Sequence, residues 1–219
     1  MVVPKTFFTR KYSVALVLNT RVTVGLPPPA HGIQGSAAVA GGRVFFGCRD
    51  SNFYALDAKN GTELWRFNNK GSWVVASPAV ADGVVYFATS DSARFHALDA
   101  TTGKALFSLD TGTYNFSSPS VAGGFAYFGS HDGRVRSVDL KARRYQAEFE
   151  TAARKANGPK YLKTDGKWNE KELFTDNTLD AVILSLSRMY SLGTVLSSPA
   201  IAGGVLYVGS ADGNLYALK

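Results

Sequence analysis

Four copies of one phrase, held at fixed spacing, constrain this chain more than any other feature. One copy reads Ser77-Pro78-Ala79-Val80-Ala81-Asp82-Gly83-Val84-Val85-Tyr86-Phe87, and the turn that follows recurs as Gly129-Ser130-His131-Asp132-Gly133 and Gly209-Ser210-Ala211-Asp212-Gly213. The starting serines, Ser36, Ser77, Ser118 and Ser198, stand 41, 41 and 80 residues apart, and the turn aspartates Asp50, Asp91, Asp132 and Asp212 keep the same intervals.

A period near 40 is that of a four-stranded propeller blade, a unit that cannot bury its faces alone and stacks on its neighbours. The expected fold is therefore all-β: a β-propeller of four-stranded antiparallel blades, about four in number, in an open or partial ring. Each copy opens on a short strand of small residues, such as Ala37-Ala38-Val39, as the crowded inner end of a blade requires. A Gly-Gly or Asp-Gly pair follows, the chemistry of a tight hairpin. The next strands, Val44-Phe45-Phe46 and its equivalents, are β-branched and aromatic, as suits sheets buried between blades. Fourth strands are expected at Glu63–Phe67 and Ala105–Leu109, with a weaker one at Gln146–Phe149. Blades are expected at about 33–73, 74–115, 116–150 and 195–219, the last without an outer strand. An open sheet edge leaves backbone donors and acceptors unpaired, so either an N-terminal strand closes it or the chain is part of a larger ring.

Two stretches lie outside the repeat. Residues 1–32 form an irregular N-terminal segment ending in Pro27-Pro28-Pro29; Tyr12 to Val24 alternates loosely enough to supply one strand. Its apolar run Tyr12–Leu18 is cut short by Asn19, Thr20 and Arg21, which reads against a cleavable signal, and no segment reaches the ~20 apolar residues of a membrane span. Residues 151–194 read as an inserted polar loop, Ala156-Asn157-Gly158-Pro159 through Asp165-Gly166, and then a helix. Leu179, Val182, Ile183, Leu186 and Tyr190 recur at helical steps, Asn177 or Thr178 caps the start and Gly193 ends it. This amphipathic helix should lie on a face of the ring.

The segment Tyr54-Ala55-Leu56-Asp57-Ala58-Lys59-Asn60-Gly61-Thr62-Glu63-Leu64-Trp65, with Ala97-Leu98-Asp99-Ala100-Thr101-Thr102-Gly103-Lys104-Ala105-Leu106-Phe107 beside it, resembles the tryptophan-docking repeat of pyrroloquinoline-quinone (PQQ)-like β-propellers. The resemblance covers about residues 33–149 and 195–219. It implies that Trp65 locks its blade to the next, with Phe107 as its substitute and Asp57, Gly61, Asp99 and Gly103 shaping the docking turns. In copy three Ala147 stands at the Trp position and Lys141-Ala142-Arg143-Arg144 replaces the Thr-Gly-Lys turn, so the joint after that blade is the weak one. Family rings usually hold seven or eight blades, which makes four copies about half a ring.

The family includes quinoprotein alcohol and sugar dehydrogenases, with the quinone over a calcium ion, and non-catalytic members such as the propeller lipoprotein of the outer-membrane β-barrel assembly machinery. With Cys48 the sole cysteine, the adjacent-cysteine disulfide of methanol-dehydrogenase-like members is impossible, and in phase with Thr89, Ser130 and Ser210 it reads as a packed thiol. Asp50, Asp91, Asp132 and Asp212, with Gly133 and Gly213, occupy turns where Asp bonds its own backbone, which explains them better than metal ligation. His31, His96 and His131 fall at unrelated positions. No catalytic, cofactor-binding or metal-binding residue is expected, and no cofactor. The expected function is a non-catalytic interaction scaffold, placed by resemblance in the cell envelope or periplasm; the alternative is a fragment of a PQQ-dependent dehydrogenase.

Net charge is +7, but eleven Lys/Arg against five Asp/Glu lie between Arg134 and Lys171, without interleaved stacking aromatics. A solvated basic face is expected there, and no nucleic-acid site. The partner is an unidentified protein. Tyr161, Trp168, Leu173 and Phe174, apolar residues in the polar insertion, either anchor it to the ring or contact that partner. Open blade edges allow self-association as well.

Overall fold

The computed structural model describes residues 32–174 and 179–219. The expectations for Tyr12–Val24, Pro27–Pro29 and His31, and the helix cap at Asn177 or Thr178, lie outside them.

Four antiparallel sheets follow one another along the chain. The first orders β1 (Ala38–Ala40), β2 (Arg43–Gly47), β3 (Asn52–Asp57) and β4 (Glu63–Asn68). The second orders β5 (Ala79–Ala81), β6 (Val84–Ala88), β7 (Arg94–Asp99) and β8 (Ala105–Asp110). The third orders β9 (Ser120–Ala122), β10 (Phe125–Gly129), β11 (Arg134–Asp139) and β12 (Arg144–Glu150). The fourth has three strands, β13 (Ala200–Ala202), β14 (Val205–Gly209) and β15 (Leu215–Leu218). This is a propeller of up-and-down blades.

Register puts the copies in phase. Trp65 pairs with Ala55, Phe107 with Ala97 and Ala147 with Ser137, each next to a bulge in its fourth strand. The weak strand of copy three is in fact the longest, Arg144–Glu150. Cross-strand charge supports it, with Arg136 Nε on Glu148 at 2.9 Å and Arg134 Nε on Glu150 at 3.1 Å. Its turn also forms without the glycine. Asp139 accepts from the N–H groups of Lys141 and Ala142, and Arg143 takes the left-handed backbone (φ 58°) that Gly61 and Gly103 take in the other copies.

The core lies between sheets. Phe45, Phe53, Ala55 and Trp65 of the first face Val85, Phe87, Leu98 and Ala100 of the second, with the Phe53 and Phe87 rings stacked 4.2 Å apart. Phe95 and Phe107 face Ala126, Phe128 and Val138 of the third in the same way. Tyr127, Val135 and Phe149 face Leu206, Val208 and Leu218 of the fourth. At the inner rim the repeated serines link copies: Ser36 N–H donates to Ser77 Oγ at 2.7 Å, and Ser77 N–H to Ser118 Oγ at 2.9 Å. The 41-residue spacing carried that signal, although the serines read only as markers of the repeat. Among the described residues no core cluster joins the fourth sheet to the first, and the sheets form an arc.

The insertion departs from its expected form. Ala156–Pro159 belong not to a loop but to helix α1 (Ala152–Tyr161), with Pro159 inside it. Thr151 caps its start by accepting from Arg154 N–H at 3.2 Å, and Pro159 removes one backbone donor near the far end. A short α2 (Glu170–Leu173) and α3 (Leu179–Tyr190) complete the insertion.

Candidate functional site

The turn aspartates act on their own loops in three copies. Asp50, Asp132 and Asp212 accept through Oδ1 from the N–H two residues on, at 2.9, 3.2 and 3.1 Å. Asp91 instead accepts from the Ser90 hydroxyl. Their second oxygens are used differently. Tyr54 and Tyr216 donate hydroxyls to Asp50 and Asp212, while copy three has Arg136 at that strand position.

Arg136 changes the character of the third turn. Asp132 is fully buried, and its Oδ2 meets Arg136 at 3.2 Å, Arg154 of α1 at 3.1 Å and Arg134 at 3.5 Å. Glu148 and Glu150 complete a cluster of three arginines and three carboxylates. Burial pushes the Asp132 carboxyl up, but Arg136 and Arg154, aided by the Ser130 hydroxyl, more than offset this and hold it below the usual range. The expected solvated basic face is thus partly internal: Arg136 and Arg154 are buried, spent on fixing the insertion to the third sheet. Gly133 sits under this joint. Its φ is +75°, and a β-carbon there would meet the Leu192 carbonyl at 2.1 Å. Gly213, at φ +83°, has open space around it.

The docking residues lie between sheets one and two. Trp65 packs against the cluster between the two sheets, with its indole N–H on the Ala100 carbonyl at 3.2 Å. Asp57 and Asp99 each accept N–H groups of the turn they start, and Phe107 lies half-buried on Phe95.

Of the four apolar residues of the insertion, three turn inward. Tyr161, Trp168 and Leu173 pack with Leu162, Met189 and Leu192, and Trp168 lies 5.8 Å from the Tyr114 ring on the loop from β8. A helical pair needs a core of its own, and these rings supply it. Phe174 remains exposed. The apolar stripe expected to hold α3 down is the outward face instead. Leu179 and Ile183 are 74% and 58% exposed, and Val182, Leu186 and Tyr190 are exposed too. The buried face is the small Ala181 and Ser185 with Met189, which fills the insertion's core, and Ser185 Oγ donates to the Leu173 carbonyl at 2.9 Å. Leu179, Val182, Ile183, Leu186 and Tyr190 therefore form one apolar stripe along α3, and Phe174 is exposed as well.

Among the described residues no group of three or more His, Cys, Asp or Glu is placed to hold a metal ion. Cys48 is buried, which pushes its thiol up to about 11. His96 and His131 are buried among rings. No helix of the described residues is long and apolar enough to cross a membrane.

In-phase blades joined by aromatic docking residues, with turn aspartates spent internally, define a PQQ-like repeat propeller. The chain belongs to the family described as outer membrane protein assembly factor BamB, whose model matches residues 17–160. BamB from Moraxella catarrhalis superposes with a TM-score of 0.59 at 17% identity, covering 85% of this chain and 46% of that one. Quinohemoprotein alcohol dehydrogenase ADHIIG from Pseudomonas putida HK5 gives 0.58 at 20% identity, covering 82% of this chain and 28% of that one. A 46-residue stretch, 21% of this chain, is 50% identical to 7% of a 1-butanol dehydrogenase (quinone) from Thauera butanivorans. The chain thus spans less than half the length of each of these relatives, and its neighbours include both assembly factors and quinone enzymes.

Proposed function

We propose that the chain acts as a non-catalytic protein-interaction scaffold of the cell envelope, through the outward face of α3 and Phe174. The observation that carries this is the exposure of Leu179, Val182, Ile183, Leu186 and Tyr190 on a helix whose buried residues are Ala181, Ser185 and Met189. Large contiguous apolar surface on a folded chain marks interaction sites. The assembly-factor family points to a protein partner at the outer membrane and a periplasmic location. The test is site-specific photocrosslinking in the envelope of the native host, with the probe at Ile183 and, as control, at the exposed Lys59. A single discrete protein adduct at Ile183 and none at Lys59 is expected. No adduct at Ile183, or the same adducts at both, would overturn the reading.

The identity to the butanol dehydrogenase favours a second reading, a segment of a quinoprotein. The described residues do not fit a quinone over calcium: that ion needs several convergent oxygens, and the buried carboxylate Asp132 is already held by three arginines. Purified protein given PQQ and calcium should not reduce a dye with alcohols or sugars. Stoichiometric quinone binding with dye reduction would establish the enzyme instead.

A further inference from the structure

The ion cluster that fastens the insertion to the third sheet also borders a pocket. Lys155, Gly158, Pro159 and Leu162 recur at three- and four-residue steps and so share one face of α1. That face, the turn at 163–166, Arg134 at the start of β11 and Glu150 at the end of β12 surround a cavity of about 420 Å³. The turn lies directly against the arginine: a β-carbon on Gly166 would stand 3.1 Å from Arg134 Nη1. Four cationic side chains, Arg134, Arg154, Lys155 and Lys163, line the cavity together with Glu150. Both arginines commit Nε to Glu150 Oε1, and Nη1 to Asp132. No hydrogen bond among the described residues uses Nη2 of either.

We propose that this pocket binds a small phosphate monoester with a hydroxylated body, of the kind glycerol 3-phosphate represents. Charge sets the anion. Asp132, Glu148 and Glu150 balance Arg134, Arg136 and Arg154 within the cluster, so Lys155 and Lys163 are in excess, and a phosphate monoester is close to a dianion at neutral pH. Guanidinium groups match phosphate oxygens with planar donors, and lysines add mobile point charges. Arg154 is 7% exposed and already clamped by Asp132 and Glu150, so its donor is positioned before a ligand arrives. Size and lining set the body. The cavity falls within the roughly 300–1,000 Å³ of small-molecule sites, which leaves room beside the phosphate against Pro159 and Leu162. Glu150 Oε1 holds the arginines while Oε2 is left to accept, and a purely apolar body would strip that oxygen of water without replacing the bond. The walls include no residue of α3. The same ester carried on a lipid, as in phosphatidic acid, presents identical chemistry at a membrane surface.

The experiment is calorimetric titration of the whole chain with glycerol 3-phosphate at constant ionic strength, beside glycerol and acetate. Saturable binding of one glycerol 3-phosphate per chain is expected, with no response to glycerol and at least about tenfold weaker binding of acetate. Lys155→Gln combined with Lys163→Gln should weaken the binding at least about tenfold; both lysines are exposed, so the fold survives. Lys59→Gln combined with Lys104→Gln removes as much charge from exposed positions elsewhere and should leave it unchanged. Amide shifts at Gly158, Lys163 and Gly166 on titrating the unaltered chain locate the site independently of any variant. Flotation with phosphatidylcholine vesicles, with and without phosphatidic acid, separates the sources. Capture by phosphatidic acid that the Lys155 and Lys163 changes abolish assigns the lipid headgroup, and its absence beside soluble binding assigns a free ester. No response to glycerol 3-phosphate, equal binding of acetate, equal loss in both lysine pairs, or amide shifts confined to other residues would each overturn the proposal. So would vesicle capture without soluble binding, since the exposed α3 stripe would then account for it.

Discussion

The indole of Trp65 occupies the place where a β-carbon on Gly103 would stand: such an atom would meet the ring at 2.6 Å. The two residues belong to adjacent blades, and Gly103 has φ +71°, so the position excludes side chains on steric and on backbone grounds. Trp65→Ala should cost about 3–5 kcal/mol as a large packed truncation, and Gly103→Ala roughly 2–4 kcal/mol through overpacking and left-handed strain. Urea unfolding of both variants checks this. A loss below about 1 kcal/mol in Trp65→Ala would mean the joint holds without its ring.

Stability should fall in mild acid. Burial pushes both His96 and His131 down to about 4, with Arg94 adding to the effect at His96. Unfolded histidines titrate near 6.5, so between that pH and 4 the unfolded chain binds more protons than the folded one. Stabilisation is therefore complete above about 6.5 and is lost as pH drops toward 4, by on the order of 3 kcal/mol for each residue. His96→Tyr and His131→Ala, the residues of equivalent positions in other copies, should each flatten part of the profile. A wild-type denaturation midpoint unchanged from pH 7 to 4.5 would sink this account.

Removing Asp132 should be severe. Its loss leaves the guanidinium groups of Arg136 and Arg154 buried without their shared partner, at a cost of about 3–5 kcal/mol for Asp132→Ala. The damage should extend to the insertion, because Arg154 also donates to the Asp132 carbonyl at 2.6 Å. Faster amide exchange in α1 than in β2 of the variant is the distinguishing readout. Uniform loosening of both would show that the cluster does not fasten the insertion in particular.

Self-association should run through the fourth sheet. The outer edge of β15 pairs with no described strand, and Leu215 is 73% exposed beside Tyr207. Exposed strand edges with apolar side chains template pairing with further chains. Light scattering should show mass rising with concentration, and Leu215→Lys should reduce it at least about twofold, since charge on an edge strand blocks pairing. A monomer at all concentrations would refute this.

The repeat was fully legible because each copy carries its own turn chemistry. Asp57, Asp99 and Asp139 fold the same loop whether or not a glycine follows, and strands of alternating aromatic and β-branched residues read out locally. What escaped sequence reading was direction. Tyr161, Trp168 and Leu173 read either as anchors of the insertion or as partner contacts, and they form the insertion's own core. The α3 stripe looks like a packing face, yet it points outward. Periodicity reports that a helix has two faces and not which one meets the protein; here small residues on the other face permit the closer approach.

By itself, then, the sequence determined the blades, because a 41-residue period and hairpin turns are written in local residue types and fix strand order through short connections. Only the tertiary structure decided what the exceptions do. Arg136 in place of Tyr makes a turn aspartate the centre of a buried ion cluster, since Arg154 arrives there from a helix beyond the strand. Ala147 in place of Trp leaves the third joint to be packed by Tyr127, Phe149, Leu206 and Leu218 instead of a docking ring. Both outcomes depend on what another segment brings to the position, and that information resides in packing rather than in any local pattern.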